Sequence, residues 1–327
     1  MKHFSLLSMP LALALVASAM PAAAQETAKS YPTRPVRMIV PNAPGSSVDT
    51  LSRIMGNGLS QVLGQQVVMD NRPGAGGVIG MEIAKDANPD GYTMIAATTA
   101  ATTIARLLQK KSTFNPLTDY DYVVQFAETP NLLVVNPSLP IKSVKDLIAY
   151  AKSGKGKFNM ASAGAGSQSH LSGAYFQQAA HIDSLHVPYK GGGASVASVI
   201  AGESHWTLTP AAAVMSHVGA GRLRALGQSL PKASPLLKGI PPIAETIPGF
   251  DYSGWQGFFV PKGTPKAITD KLREAVVKTT NLPDVRKALE AQGTEIVIRG
   301  PGEFKKVVEQ SMVKNAKVVK AVGLTAN

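Results

Sequence analysis

Apolar and polar positions along the chain change rhythm at regular intervals. Val36, Met38, Ile39 and Val40 form a short apolar run of the kind shown by a buried parallel strand. Pro44-Gly45-Ser46-Ser47 breaks the run. A helix is expected from there, capped by Ser46 or Ser47 and carrying Asp49 in its first turn. The same order returns at Lys157–Leu171: Phe158–Ala161 predicts a strand, Ser162–Ser167 a Gly/Ser loop, and Gln168 opens a helix that runs to Ala180. Gln65–Asp70 and Tyr92–Ala97 predict two further strands. Helices follow them near Val78–Asp86 and through Leu108. The β-α-β-α-β-α order is that of a doubly wound α/β domain.

The pattern then shifts. Tyr122–Ala127 and Asn131–Asn136 are extended runs separated by Glu128-Thr129-Pro130, which reads as a crossing into a second unit. That unit holds helices at Val144–Ala151 (capped by Ser143), Gln168–Ala180, Ala194–Ala201 and Pro210–Val218. Its strands are Phe158–Ala161, Ser184–Val187, His205–Leu208 and Leu223–Gln228. Gly254–Val260 reads as a strand crossing back. Helices Pro265–Thr279 and Pro283–Ala291, strand Thr294–Ile298 and a long helix Gly302–Ala321 close the first unit. The expected fold class is α/β, with two doubly wound domains joined by two crossing strands. Residues 25–127 plus 252–327 form domain 1 and residues 128–251 domain 2. Such a molecule is a hinged clam whose ligand sits at the carboxyl ends of the strands.

Composition adds export and removes some function classes. Lys2 and His3 precede an apolar stretch, Leu6–Met20, and Ala22-Ala23-Ala24 stands before Gln25. Residues 1–24 are therefore expected to be a signal peptide cleaved near Ala24–Gln25. The 327 residues contain no cysteine, so neither disulfides nor thiolate metal sites are possible. The net charge is +12, but the lysines and arginines are scattered and aromatic residues make up 6%. Nucleic acid is not an expected partner, and the charge reads as mild steering toward acids. The densest basic region, Lys305–Lys320, reads as the solvated face of the last helix.

A strand that feeds a helix through a small-residue loop leaves backbone N–H groups unpaired, and the helix dipole adds positive potential there. Two such loops, one in each unit, predict two anion-binding lips. Ser46 and Ser47 are candidates on the first lip, although plain helix capping uses the same geometry. Asp49 reads as structural, bonding loop amides. Gly164, Ala165, Gly166 and Ser167 are candidates on the second lip, with His170 either donating to a carboxylate or packing. Thr98 and Thr99 follow the third strand at its carboxyl end. Tyr189, Thr209 and Ala211 complete the candidate set; Tyr189 either covers a ligand or packs, and Lys190 either enters the cleft or faces solvent. Gly74-Ala75-Gly76-Gly77 lacks the lysine or the spacing of a nucleotide loop and reads mainly as a turn. No G-x-S-x-G or H-E-x-x-H motif is present, and the six histidines do not fall at metal-ligand spacing. No catalytic residue, metal or cofactor is expected.

Several motifs in order carry a family resemblance: YPTRPVRMIVPNAPGSSVDTLSR, VVMDNRPGAGGVIG, NPDGYTM, LLVVNPSLPIKSVKDLI, FNMASAGAGSQSHL, HVPYKGGG, AGRLRAL, WQGFFVPKGTP and AKVVKAVGL. From about Tyr31 to the C-terminus the chain resembles the Bug, or TctC-like, family, the periplasmic solute-binding proteins of tripartite tricarboxylate transporters. The resemblance implies a two-lobed periplasmic binding protein fold (type II-like) without catalysis, and a periplasmic location. It implies a small carboxylate held by amides and hydroxyls, often with ordered waters, in the interdomain cleft. It also implies handover to a carrier of one large and one small membrane subunit, for which a monomer is the default.

The chain departs from the family pattern where a ligand would be read. Asn42 replaces a common aromatic, and Gly45-Ser46 a Gly-Gly pair. His205 stands for an expected Asp, and Thr209 for a second acid. Loss of acids argues against a ligand ammonium, so a dicarboxylate or aromatic acid without an amine is expected, with Tyr189 and Trp206 favouring an aromatic one. Two rival readings are a receptor that feeds a membrane signalling kinase and an α/β enzyme acting on small acids.

Overall fold

The computed structural model describes residues 30–109, 111–154 and 158–324. The expected signal peptide lies outside them.

Two mixed sheets form the molecule. The first unit contributes β1 (Val36–Val40), β2 (Val67–Asn71), β3 (Thr93–Thr98) and β4 (Tyr120–Thr129). The second contributes β5 (Asn131–Val135), β6 (Asn159–Ser162), β7 (Leu185–Pro188), β8 (Trp206–Pro210) and β9 (Arg224–Gln228). The chain then returns with β10 (Gly254–Pro261) and β11 (Glu295–Arg299). The six-stranded sheet has the order β11-β4-β10-β3-β1-β2, and the five-stranded sheet β7-β6-β8-β5-β9. β1 is parallel to both β2 and β3, whereas β10 is antiparallel to β3 and β4. The chain crosses first at Pro130, which cannot donate a ladder hydrogen bond. It crosses again between Asp251 and Gly254.

Burial is nearly continuous along the central strands because both faces of each sheet are covered, and successive side chains enter opposite cores. Val36, Met38 and Val40 enter one core with Leu51, Leu272 and Val276, while Ile39 enters another with Ile95 and Phe259. In the second lobe Leu133 and Val135 pack with Leu171, Phe176 and Trp206, and Leu132 and Val134 pack with Val196 and Val199. Helix α1 (Ser47–Leu63) buries Val48, Leu51, Met55 and Leu59, a stripe at three- and four-residue spacing. It packs on α8 (Lys266–Thr280), and α9 (Pro283–Ala291) follows.

The remaining helices are α2 (Val78–Lys85), α3 (Ala105–Leu108), α4 (Val144–Lys152), α5 (Gln168–Ala180), α6 (Gly192–Ala201), α7 (Met215–Gly219) and α10 (Pro301–Ala321). Two differ from expectation. The segment Pro210–Val218 is not one helix: a 3-10 turn at Ala211–Ala213 is separated from α7 by Val214, whose φ of −129° is not helical. The helix after β3 opens as a π-helical turn over Ala100–Ile104, a widened form found often at functional sites. Helix α10 spans both lobes. Phe304 and Val308 lie in the first lobe's core and Val318 in the second's, while Gln178 donates to Ala321 O at 3.0 Å. The basic residues of α10 face outward, as the sequence implied.

Candidate functional site

Each strand that ends between the lobes hands over to a helix or helical turn. The carboxyl ends of β1, β2, β3, β6, β7 and β8 surround one cavity of about 510 Å³ between the lobes. That is the size of a small-molecule site.

The first wall is the loop 41–48. Ser46 caps α1 by accepting from Asp49 N at 3.4 Å. Asp49 points back into its own loop, as anticipated: its carboxylate accepts from Gly45 N at 2.9 Å, Asn71 Nδ2 at 2.9 Å and Arg53 Nε at 3.0 Å. Burial opposes its charge, but these donors outweigh burial and hold the carboxyl below its usual range. Ser47 and Val48 line the cavity, and amides in the first turn of a helix have no intrahelical acceptor.

The second wall is the loop 163–169. Ser167 caps α5 by accepting from His170 N at 3.2 Å. Several of the loop's amides are already engaged. Ala163 N donates to Ser169 Oγ at 2.9 Å, Gly164 N to Ser162 Oγ at 3.2 Å, and Gly166 N to His170 Nδ1 at 3.1 Å. The donors left for an anion on this side include the Ala165 amide and those of the first turn of α5, where Gln168 and Ser169 line the cavity.

The helices α2 and α6 present their N-termini at the same place, through Gly77 and Gly191-Gly192. Thr98, Thr99, Thr129, Thr209 and Gln256 add hydroxyl and amide groups. Gln256 Nε2 reaches back to Val48 O and Ser52 Oγ, while Thr99 Oγ1 accepts from Trp255 N at 2.9 Å. Lys190, exposed at the rim, is the one ionisable side chain on the lining among the described residues, and no carboxylate lies there. The cavity is therefore walled by neutral donors and helix dipoles, with a single cation at its edge.

Of the sequence candidates, Ser46, Ser47, Thr98, Thr99, Gly164, Ala165, Ser167 and Thr209 line this cavity. Gly166, His170, Tyr189 and Ala211 do not. Gly166 turns at φ +75° and faces Leu108 of α3. His170 stacks on His186, with ring centroids 3.9 Å apart and planes 8° apart, so it supports the loop from behind. Burial, and then the neighbouring His186, pushes its pKa down to about 4; burial also lowers that of His186. Tyr189 hydrogen-bonds Ser204 at 3.1 Å and packs against the second lobe's core. Ala211 is buried, with its N–H on Pro130 O at 2.8 Å.

Two residues used to infer the ligand also lie off the cavity. Trp206 is fully buried and donates to Ser184 Oγ, and His205 Nδ1 accepts from Asn159 N. Trp255 is the aromatic residue that does line the site. Sequence reasoning gave no weight to Gln168 and Thr129. Gln168 stood inside a quoted motif as the first residue of a helix. Thr129 stood at the end of a strand just before the crossing proline, and that position was its signal.

Two α/β lobes, joined by two crossings and closed on a cavity lined by helix N-termini, define the class of two-lobed solute-binding receptors. The pattern of the TctC family, described as "Tripartite tricarboxylate transporter family receptor", matches residues 51–324, and the chain belongs to that family. It is 34% identical over 303 residues to protein BugT of Bordetella pertussis, covering 92% of this chain and 93% of that one. Among solved structures, R. palustris Rpa4515 with adipate superposes with a TM-score of 0.87 at 32% identity, covering 91% of this chain and all of that one. MatC from Rhodopseudomonas palustris with bound malate gives 0.82 at 28% identity, with 88% and 100% covered.

Proposed function

We propose that this receptor captures a small aliphatic dicarboxylate without an amino group in the interlobe cavity and delivers it to a membrane carrier with a large and a small subunit. One observation carries the reading: helix N-termini and hydroxyls from both lobes converge on a space whose lining, among the described residues, holds no acid. A carboxylate at each end would take N–H donors from one lobe, and the ends of helix dipoles would offset its charge. An ammonium would find no counter-charge there. The two solved relatives carrying adipate and malate support the same class. With Tyr189 and Trp206 off the cavity, the case for an aromatic acid loses the two residues that favoured it.

In this reading residues 1–24 are removed on export to the periplasm, and the lobes exchange at Pro130 and near Ser253. Ser46, Ser47, Thr98, Thr99, Gly164, Ala165, Ser167 and Thr209 are the contacts, directly or through water. A thermal-shift screen of the mature chain against aliphatic diacids, aromatic acids and acidic amino acids tests it. A ligand at 100 times its Kd adds about 2.7 kcal/mol of stability. Stabilisation by amine-free diacids is the expected result; stabilisation by amino acids alone would overturn the ligand class.

A further inference from the structure

Gly254 lines the cavity where the chain re-enters the first lobe. A Cβ placed on Gly254 would stand 3.0 Å from Thr129 Oγ1, 3.4 Å from Thr99 Oγ1 and 3.4 Å from Gln168 Nε2. Three polar side chains, from the first lobe, the crossing and the second lobe, thus meet around the space that a missing side chain leaves open. Gln168 is 8% exposed, and neither its Nε2 nor its Oε1 has a hydrogen-bond partner within the protein. Both polar atoms of one amide, on a residue that lines the cavity, are therefore buried and unmatched, a costly arrangement unless something answers them.

The chemistry of the missing partner follows from the donor inventory. A primary amide offers N–H donors and a carbonyl acceptor side by side. A carboxylate only accepts, so it would serve Nε2 and leave Oε1 unanswered. An ammonium only donates, and it would bring an unpaired charge into a wall without acids. A hydroxyl both accepts and donates. Thr99 can supply a further proton to it, because Thr99 Oγ1 already accepts from Trp255 N and its own hydrogen is free. We infer that Gln168 is a specificity-determining residue that reads a hydroxyl on the ligand's carbon chain, so that the favoured ligand is a hydroxy-dicarboxylate. This rests on the dicarboxylate reading above and narrows it.

The test uses matched ligands that differ at one substituent: succinate, L-malate and L-aspartate, and in parallel adipate, 2-hydroxyadipate and 2-aminoadipate. Calorimetric Kd values are measured on the mature chain and on Gln168→Met, which keeps length and removes both polar atoms. In at least one series the wild type binds the hydroxy acid roughly tenfold more tightly than the plain diacid, the size of one well-matched buried hydrogen-bond set. Gln168→Met loses that preference: the ratio of its Kd values for the plain and the hydroxy acid falls to near one. Equal or tighter binding of the plain diacid by the wild type overturns the inference and leaves the dicarboxylate reading standing. The same holds if the preference persists in Gln168→Met. Tightest binding of the amino acid overturns both assignments, and binding of none of the six acids defeats the dicarboxylate reading and this inference with it. The wild-type comparison does not depend on the variant folding.

Discussion

Asp49 shows how a charged residue can serve an anion site without facing the anion. Its carboxylate holds Gly45, Asn71 and Arg53, fixing the loop whose far side lines the cavity. Asp49→Ala leaves the Gly45 N–H and the Asn71 amide short of an acceptor and is expected to cost about 2 kcal/mol in denaturant unfolding, with weaker ligand binding beside it. His170 and His186 do the matching work in the second lobe. With a folded pKa of about 4 against about 6.5 when unfolded, His170 binds fewer protons folded than unfolded across that interval. Its contribution is complete above about pH 6.5 and is lost as pH falls toward 4, an effect on the order of 3 kcal/mol. Melting temperature measured against pH should fall through this window, and His170→Gln should flatten the profile.

The strand–loop–helix units were the legible part of the chain. Val36–Val40 and Gln168–Ala180 appear where the apolar rhythm put them, and Ser46, Ser143 and Ser167 cap the helices they precede. What hid was orientation within a unit. His170 and Tyr189 sit next to cavity residues in sequence, yet their rings turn into the protein, where stacking and a hydroxyl partner hold them. Gln168 hid for the opposite reason, since a glutamine opening a helix gives no sign that its amide will be left without partners. The turn before α2 follows the same logic of close approach. Gly77 has φ +109°, and a Cβ there would lie 2.5 Å from Ala101 Cβ. Gly77→Ala should therefore cost more than 2 kcal/mol, about the scale of overpacking added to backbone strain, as read by chemical unfolding.

The first lip meets the second lobe at the glycines that open α6. A Cβ on Gly192 would stand 3.8 Å from Ser46 Cα, and one on Gly191 would stand 3.1 Å from Ala43 Cβ. Gly192→Leu should hold the loop 41–48 and the start of α6 apart. It is expected to lower ligand affinity by more than tenfold and to keep the radius of gyration large in small-angle scattering with saturating ligand, while stability without ligand stays near wild type. Helix α10 is anchored in both cores and ties the lobes together along one edge. The neutral wall of the cavity has a consequence of another kind. With Lys190 the one ionisable group on the lining among the described residues, loading should neither take up nor release a proton near neutrality, and the heat of binding should be equal in buffers of different ionisation enthalpy. A bound acid would then keep the charge state it has in free solution.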